Sequence, residues 1–115
     1  MANTFKNGYV DLTTSNADIV PAVASSTTTI VLTLRCTNVD GTNDATVDVE
    51  VVDSSSGAAY IAKTLSVPAD TTVELAGTSK LVLETGDKIQ LQMTGSSEGT
   101  VNYEINAVGS YLKIT

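Results

Sequence analysis

The sequence has no histidine, no tryptophan, one cysteine, two prolines and only five aromatic residues, four Tyr and one Phe. Without histidine, the commonest general base and the commonest metal ligand are missing. Every Ser-His or Cys-His nucleophile goes with them. The lone Cys36 excludes an intrachain disulfide and any metal site built from several thiolates. A reactive thiolate at Cys36 needs an electropositive neighbour, and the adjacent Arg35 alternates to the opposite strand face. No apolar run approaches the roughly 20 residues of a membrane span. The opening MANTFKNG also lacks the basic-then-apolar layout of a secretory signal. The expectation is a chain made and folded in a cytoplasm, with no membrane partner. Basic residues are scarce as well: six Lys and Arg stand against 13 Asp and Glu, for a net charge of −7. The six (Lys6, Arg35, Lys63, Lys80, Lys88, Lys113) are spread along the chain, whereas binding a phosphate backbone needs them clustered. No nucleic-acid partner is therefore expected, and the charge favours solubility.

What remains is β-forming chemistry. A chain of 115 residues, 42% of them hydrophobic, is enough for one domain with a real core. Val, Ile, Leu, Ala and Thr dominate, and β-branched side chains suit a pleated, half-buried surface. The stretch Thr28–Asp53 organises the reading. Ile30, Leu32, Leu34 and Cys36 alternate with Val31, Thr33, Arg35 and Thr37, and Val47, Val49 and Val51 alternate with Asp48 and Glu50. Two antiparallel strands, Thr29–Thr37 and Thr46–Val52, are predicted as the central hairpin, joined by a turn over Asn38–Asp44 that carries Asp40-Gly41. Ile30, Leu32, Leu34, Val47, Val49 and Val51 are expected to face the core.

Further strands are predicted at about Tyr9–Thr13, Ala59–Val67, Val73–Leu75 (closed by Gly77), Leu81–Leu83, Lys88–Met93 and Thr100–Ala107, and Asp18-Ile19-Val20-Pro21 reads as a short extended piece at a strand end or edge. Lys63 interrupts the apolar face of Ile61, Leu65 and Val67 and is expected to snorkel at a strand edge. Asn7-Gly8 offers a hairpin turn, Gly95–Gly99 a flexible one, and the tail Tyr111–Thr115 a short strand or a docking segment. The expected fold is all-β: a single antiparallel β-sandwich of about eight short strands, jelly-roll or immunoglobulin-like. Residues 1–17 are expected as an N-terminal edge strand or arm and residues 18–115 as the sandwich domain.

The acids are the remaining place for chemistry. Asp48 and Glu50, and likewise Asn102 and Glu104, lie two apart on a strand face, where a carboxylate pair could in principle act on a glycosidic bond. Sugar sites usually bring aromatic platforms, which are scarce here, so these residues are expected as solvated outer-face charges. Asp40, Asp44, Asp48, Glu50 and Asp53 run without an intervening base. The turn Asp40–Asp44 offers oxygen ligands for a cation such as Ca²⁺, but lacks the spaced D-x-D-x-D-G pattern and the carboxylate that completes a twelve-residue loop. No glycine-rich phosphate loop is present. No catalytic, cofactor-binding or metal-binding residue is therefore assigned, and no cofactor is expected.

Ile19-Val20-Pro21, Ile30-Val31-Leu32, Thr37-Asn38-Val39-Asp40-Gly41-Thr42, Ala62-Lys63-Thr64, Val67-Pro68-Ala69 and Leu81-Val82-Leu83-Glu84-Thr85-Gly86-Asp87 occur in an order and spacing that resembles small virion structural proteins of tailed bacteriophages, especially those of aquatic bacteria. The resemblance spans about residues 17–94. It implies a small β-sandwich carried in many copies on a phage particle, with no catalytic residue to transfer. Three readings follow. The first is a non-enzymatic capsid decoration or cement protein that contacts coat protein or other virion proteins. The second is a neck or tail-fibre adaptor. The third is a carbohydrate-binding module for host attachment, which the lack of Trp disfavours. A core this poor in aromatics would gain burial from homo-oligomerisation, a trimer being one option.

Overall fold

Nine β-strands and no helix make up the described residues of the computed structural model, which are 2–13, 15–39, 42–55, 57–75, 80–96 and 105–115. In chain order the strands are β1 (Asn3–Asp11), β2 (Ala17–Val20), β3 (Thr28–Asn38), β4 (Ala45–Val52), β5 (Ala58–Val67), β6 (Thr72–Glu74), β7 (Leu81–Leu83), β8 (Lys88–Ser96) and β9 (Ile105–Ile114). All pairings are antiparallel. One sheet has the order β1-β9-β3-β6, with β7 also on β3, and the other has the order β2-β8-β4-β5. If β6 and β7 are taken as one interrupted strand, four strands face four in the jelly-roll arrangement. The core lies between the sheets, and its largest buried side chains are Leu12, Leu34, Leu83, Ile89, Leu91, Met93 and Ile105.

The predicted central hairpin does not form. β3 pairs with β6, β7 and β9, whereas β4 pairs with β5 and β8, so the chain crosses from one sheet to the other between them. Period-two alternation reports that a segment is a strand with one buried face, but it does not say which strand lies beside it. Asn38 secures the crossing. Fully buried at the end of β3, its Nδ2 donates to the carbonyls of Asn43 and Val67, both at 2.9 Å. Those acceptors flank the other sheet, so one amide ties the two layers together. Asp40 and Gly41, on which the turn prediction rested, lie outside the described residues.

Alternation along β3 is broken by a bulge. Val31 pairs with Tyr111 and Thr33 with Ser110, leaving Leu32 unmatched. Two residues opposing one reverses the facing of everything that follows. Thr29, Val31, Leu34, Cys36 and Asn38 therefore point inward, and Ile30 and Leu32 are only half-buried. This corrects the predicted common face of Ile30, Leu32, Leu34 and Cys36. The bulge sits at the gap between β7 and β6. There Glu74 Oε2 accepts from Leu34 N at 3.0 Å, and Lys80 Nζ donates to the Leu32 carbonyl at 3.3 Å. Side chains thus satisfy these two backbone groups.

Three further expectations change. Asn7-Gly8 makes no turn; both lie within β1, and Gly8 pairs with Gly109. A Cβ at Gly8 would sit 3.2 Å from the Ile19 carbonyl, so the bare backbone there lets β2 pass closely beneath the sheet. The last strand runs from Ile105 to Ile114, absorbing the tail residues Tyr111–Ile114, while Val101 and Tyr103 lie outside the described residues along with Gly77 and Gly99. Val51, expected in the core, is half-buried and packs at its margin.

Candidate interaction surfaces

Chemistry is best sought first among the acids of Thr28–Asp53. Asp48, expected on a solvated face, is 8% exposed. It lies opposite a bulge in β5, where Val47 pairs with Leu65 and Val49 with Ala62. Thr64 within this bulge has φ +52°, a left-handed conformation that is costly for a β-branched residue. Asp48 Oδ1 accepts from Thr64 N at 2.7 Å, and its Oδ2 lies 3.9 Å from Lys63 Nζ. The carboxylate therefore holds a strained piece of backbone in place. Lys63 is on an edge strand and also lies 4.7 Å from the centre of the Tyr60 ring, so it covers apolar surface while keeping its ammonium in water.

The other acids have similar duties. Asp44 Oδ1 accepts from Ala69 N at 3.1 Å, which braces the turn into β6. Asp53 Oδ1 accepts from Ser55 N and Gly57 N, both at 2.8 Å, closing the β4–β5 loop. Asp87 Oδ2 accepts from Glu84 N at 3.0 Å. Glu50 is half-exposed and reaches Gln90 Nε2 at 3.5 Å. Asp40, Asn102 and Glu104 lie outside the described residues. A depression of about 310 Å³ is lined by Val51, Asp53, Gly57, Ala58, Ala59 and Asp87. Its two carboxylates are those already committed to loop amides. Among the described residues, no three Asp, Glu or Cys side chains converge as a metal site would require.

Cys36 is fully buried against Ala107 and Val73 on neighbouring strands. Burial pushes its thiol up to about 12, because the thiolate would lose its hydration. The group behaves as a small apolar side chain.

One face of the fold exposes apolar side chains. Ladder partners share a sheet face, so the register of β1, β9, β3 and β7 lines up Phe5, Leu112, Ile30 and Val82 in one row across the outer face of the larger sheet. A second row holds Tyr9, Val108, Arg35 and Glu74. Phe5 is 73% exposed, Tyr9 81% and Val82 62%. The Arg35–Glu74 ion pair, 3.8 Å between Nε and Oε1, leaves this part of the face without net charge. Two of the chain's five aromatics thus lie on one outer face of a protein otherwise rich in acids. Sequence alternation missed these rows because they are assembled from strands distant in sequence.

No protein-family model matches the chain. No curated protein matches it either. The likeness is one of fold. A solved protein of the disulfide-linked pili that form Bacillus endospore appendages superposes with a TM-score of 0.54 at 10% identity, covering 99% of this chain and 87% of that one. A chain of infectious bursal disease virus (Gx strain) gives a TM-score of 0.44 at 13% identity, with 96% of this chain and 29% of that one covered. The Gt strain gives 0.41 at 10%, with 97% and 30% covered. The first of these supports a shared β-fold. Those pili are disulfide-linked, whereas the single cysteine here is sealed in the core, out of reach of a neighbouring molecule.

Proposed function

We propose that this chain is a non-enzymatic structural protein of a virion, acting as a decoration or cement protein on the shell of a tailed phage. The observation that carries this reading is the outer face of the larger sheet. Its rows of part-exposed apolar side chains have no net charge, in a chain of net charge −7. Such a face suits burial against another protein, since contiguous exposed apolar surface on a soluble domain commonly marks an interaction site. In this reading Val82, Ile30, Leu112 and Val108 meet coat-protein subunits, residues 18–115 form the body, and repetition over the shell multiplies weak individual contacts. Jelly-roll domains serve in many capsids, a likeness of architecture that carries no mechanism.

The test is addition of the purified protein to shells that lack it. Wild type should bind at hundreds of copies per particle, and Val82→Glu, which buries a charge at the contact, should abolish binding while the isolated protein stays folded. A few dozen copies or fewer would place the protein at the neck or tail fibre instead. No binding to any particle component would end the virion reading.

A further inference from the structure

Each sheet of a sandwich has free edges, and most of those here are blunted. β6 and β7 have three residues each, and β2 has four. β5 is long, but two register shifts and the left-handed Thr64 distort it. Bulges and short length are the ordinary defences of an exposed edge. β1 has neither. Its nine residues pair with β9 in unbroken register, and β9 is its one ladder partner among the described residues.

The direction of its free backbone groups follows from the ends of the ladder. Ala2 and Thr115 exchange both hydrogen bonds, at 3.3 and 2.9 Å, and Leu12 N donates to the Ile105 carbonyl at 2.8 Å. Hydrogen-bonded and open pairs alternate along an antiparallel ladder, so Thr4, Lys6, Gly8 and Val10 bond to β9. The N–H and C=O groups of Asn3, Phe5, Asn7, Tyr9 and Asp11 point away from the sheet.

We propose that this edge pairs with β1 of a second copy, antiparallel across a two-fold axis through Asn7, joining two larger sheets into one. The register follows from the side chains. With Asn7 opposite its symmetry mate, Phe5 lies opposite the partner's Tyr9 and Asn3 opposite the partner's Asp11. All five outward residues are then used, giving about ten new backbone hydrogen bonds, two per pair. Phe5 and Tyr9 form two cross-strand aromatic pairs, among the favourable pairings of a sheet. A shift of one pair in one direction sets Lys6 against its own mate, and in the other sets Phe5 against Asp11; both are poorer. Charge permits the contact too, since Lys6 and Asp11 cancel within β1 while the whole chain carries −7. Across the seam, the apolar row ending at Phe5 continues into Tyr9 and Val108 of the second copy. This inference rests on β1 alone and is independent of the virion reading.

The experiment is sedimentation and light scattering of the full chain, with variants that separate edge from fold. Wild type should be a dimer. Asn7→Pro removes an outward N–H that β9 does not use, and proline is tolerated on a sheet edge; it should be monomeric with an unchanged circular dichroism spectrum. Phe5→Lys should also be monomeric, and adding Tyr9→Glu should restore the dimer, because the two new charges meet only in the stated register. Asn7→Cys should crosslink to itself on oxidation with no contribution from buried Cys36, whereas Asn3→Cys should not. A monomeric wild type, a trimer, a dimer surviving in both Asn7→Pro and Phe5→Lys, or failure of Asn7→Cys to crosslink would each overturn the proposal. Loss of shell binding by Val82→Glu with the dimer intact would leave it standing.

Discussion

Replacing Asn38 with aspartate is the sharpest test of how the two sheets are held together. The substitution keeps the shape of the side chain and removes both N–H donors. Two carbonyls, the part-buried Asn43 O and the buried Val67 O, each 2.9 Å from the present amide nitrogen, then face a carboxyl group. In the protonated form an O–H can serve one of them, so the loss at low pH is one hydrogen bond and one unsatisfied acceptor, about 1–2 kcal/mol. In the ionised form both carbonyls repel the charge, and burial strips its hydration, so the folded-state pKa must rise above the unfolded value of about 3.9. A rise of two units adds roughly 2.7 kcal/mol once the pH exceeds the folded pKa. The sign is fixed: the unfolded chain ionises first, so the added penalty is absent below about pH 4 and grows as pH rises through the folded pKa. The expected total near pH 7 is about 4 kcal/mol, a large share of the 5–15 kcal/mol typical of a domain. Urea unfolding followed by far-ultraviolet circular dichroism, variant against wild type at each pH from 3.5 to 7.5, cancels the titrations the two share. A difference below about 1 kcal/mol at pH 7, or one that does not change with pH, would refute the inter-sheet clamp.

Three other expectations can be checked alongside it. Asp48→Ala leaves Thr64 N without its acceptor in a strained bulge and should cost about 2 kcal/mol, a Tm drop of roughly 8 °C; Asp48→Asn, which keeps an acceptor, should recover at least half. The thiol of Cys36 should resist alkylation at pH 8 until the chain unfolds. Because its folded pKa of about 12 exceeds the unfolded value of 9.0, its contribution to stability is full below pH 9 and falls by about 1.4 kcal/mol per pH unit above it; Cys36→Ala should flatten that slope by this amount in alkaline denaturant titrations. Gly86 has φ +90°, and a Cβ there would lie 2.5 Å from Ser54 Cβ, so Gly86→Ala should cost at least about 2 kcal/mol. Gly109→Ala, whose new contacts start at 3.4 Å, should stay within about 1 kcal/mol in the same melts.

The sequence by itself determined the class of fold. In the predicted strand Lys88–Met93, Ile89, Leu91 and Met93 alternate with Lys88, Gln90 and Gln92, and these three are buried. The β5 and β7 predictions fall within a residue of Ala58–Val67 and at Leu81–Leu83, and Gly86, at φ +90°, lies in the turn between β7 and β8. These signals are local: a pleat with one wet face, or a backbone angle that only glycine takes readily. Which strands are neighbours was decided by tertiary structure alone. β3 and β4 read as a hairpin and lie in opposite sheets, because six intervening residues can cross a sandwich as easily as turn back. The Leu32 bulge was equally invisible, since it is a mismatch of register against Tyr111 and Ser110 of β9, far along the chain. For the same reason the acids changed meaning. Asp44 and Asp48 read as solvated or cation-binding groups, yet each accepts from a backbone N–H that only folding brings near. The apolar rows on the outer face follow the same rule. Each strand contributes one or two residues that look unremarkable in sequence, and the ladder register makes them a surface.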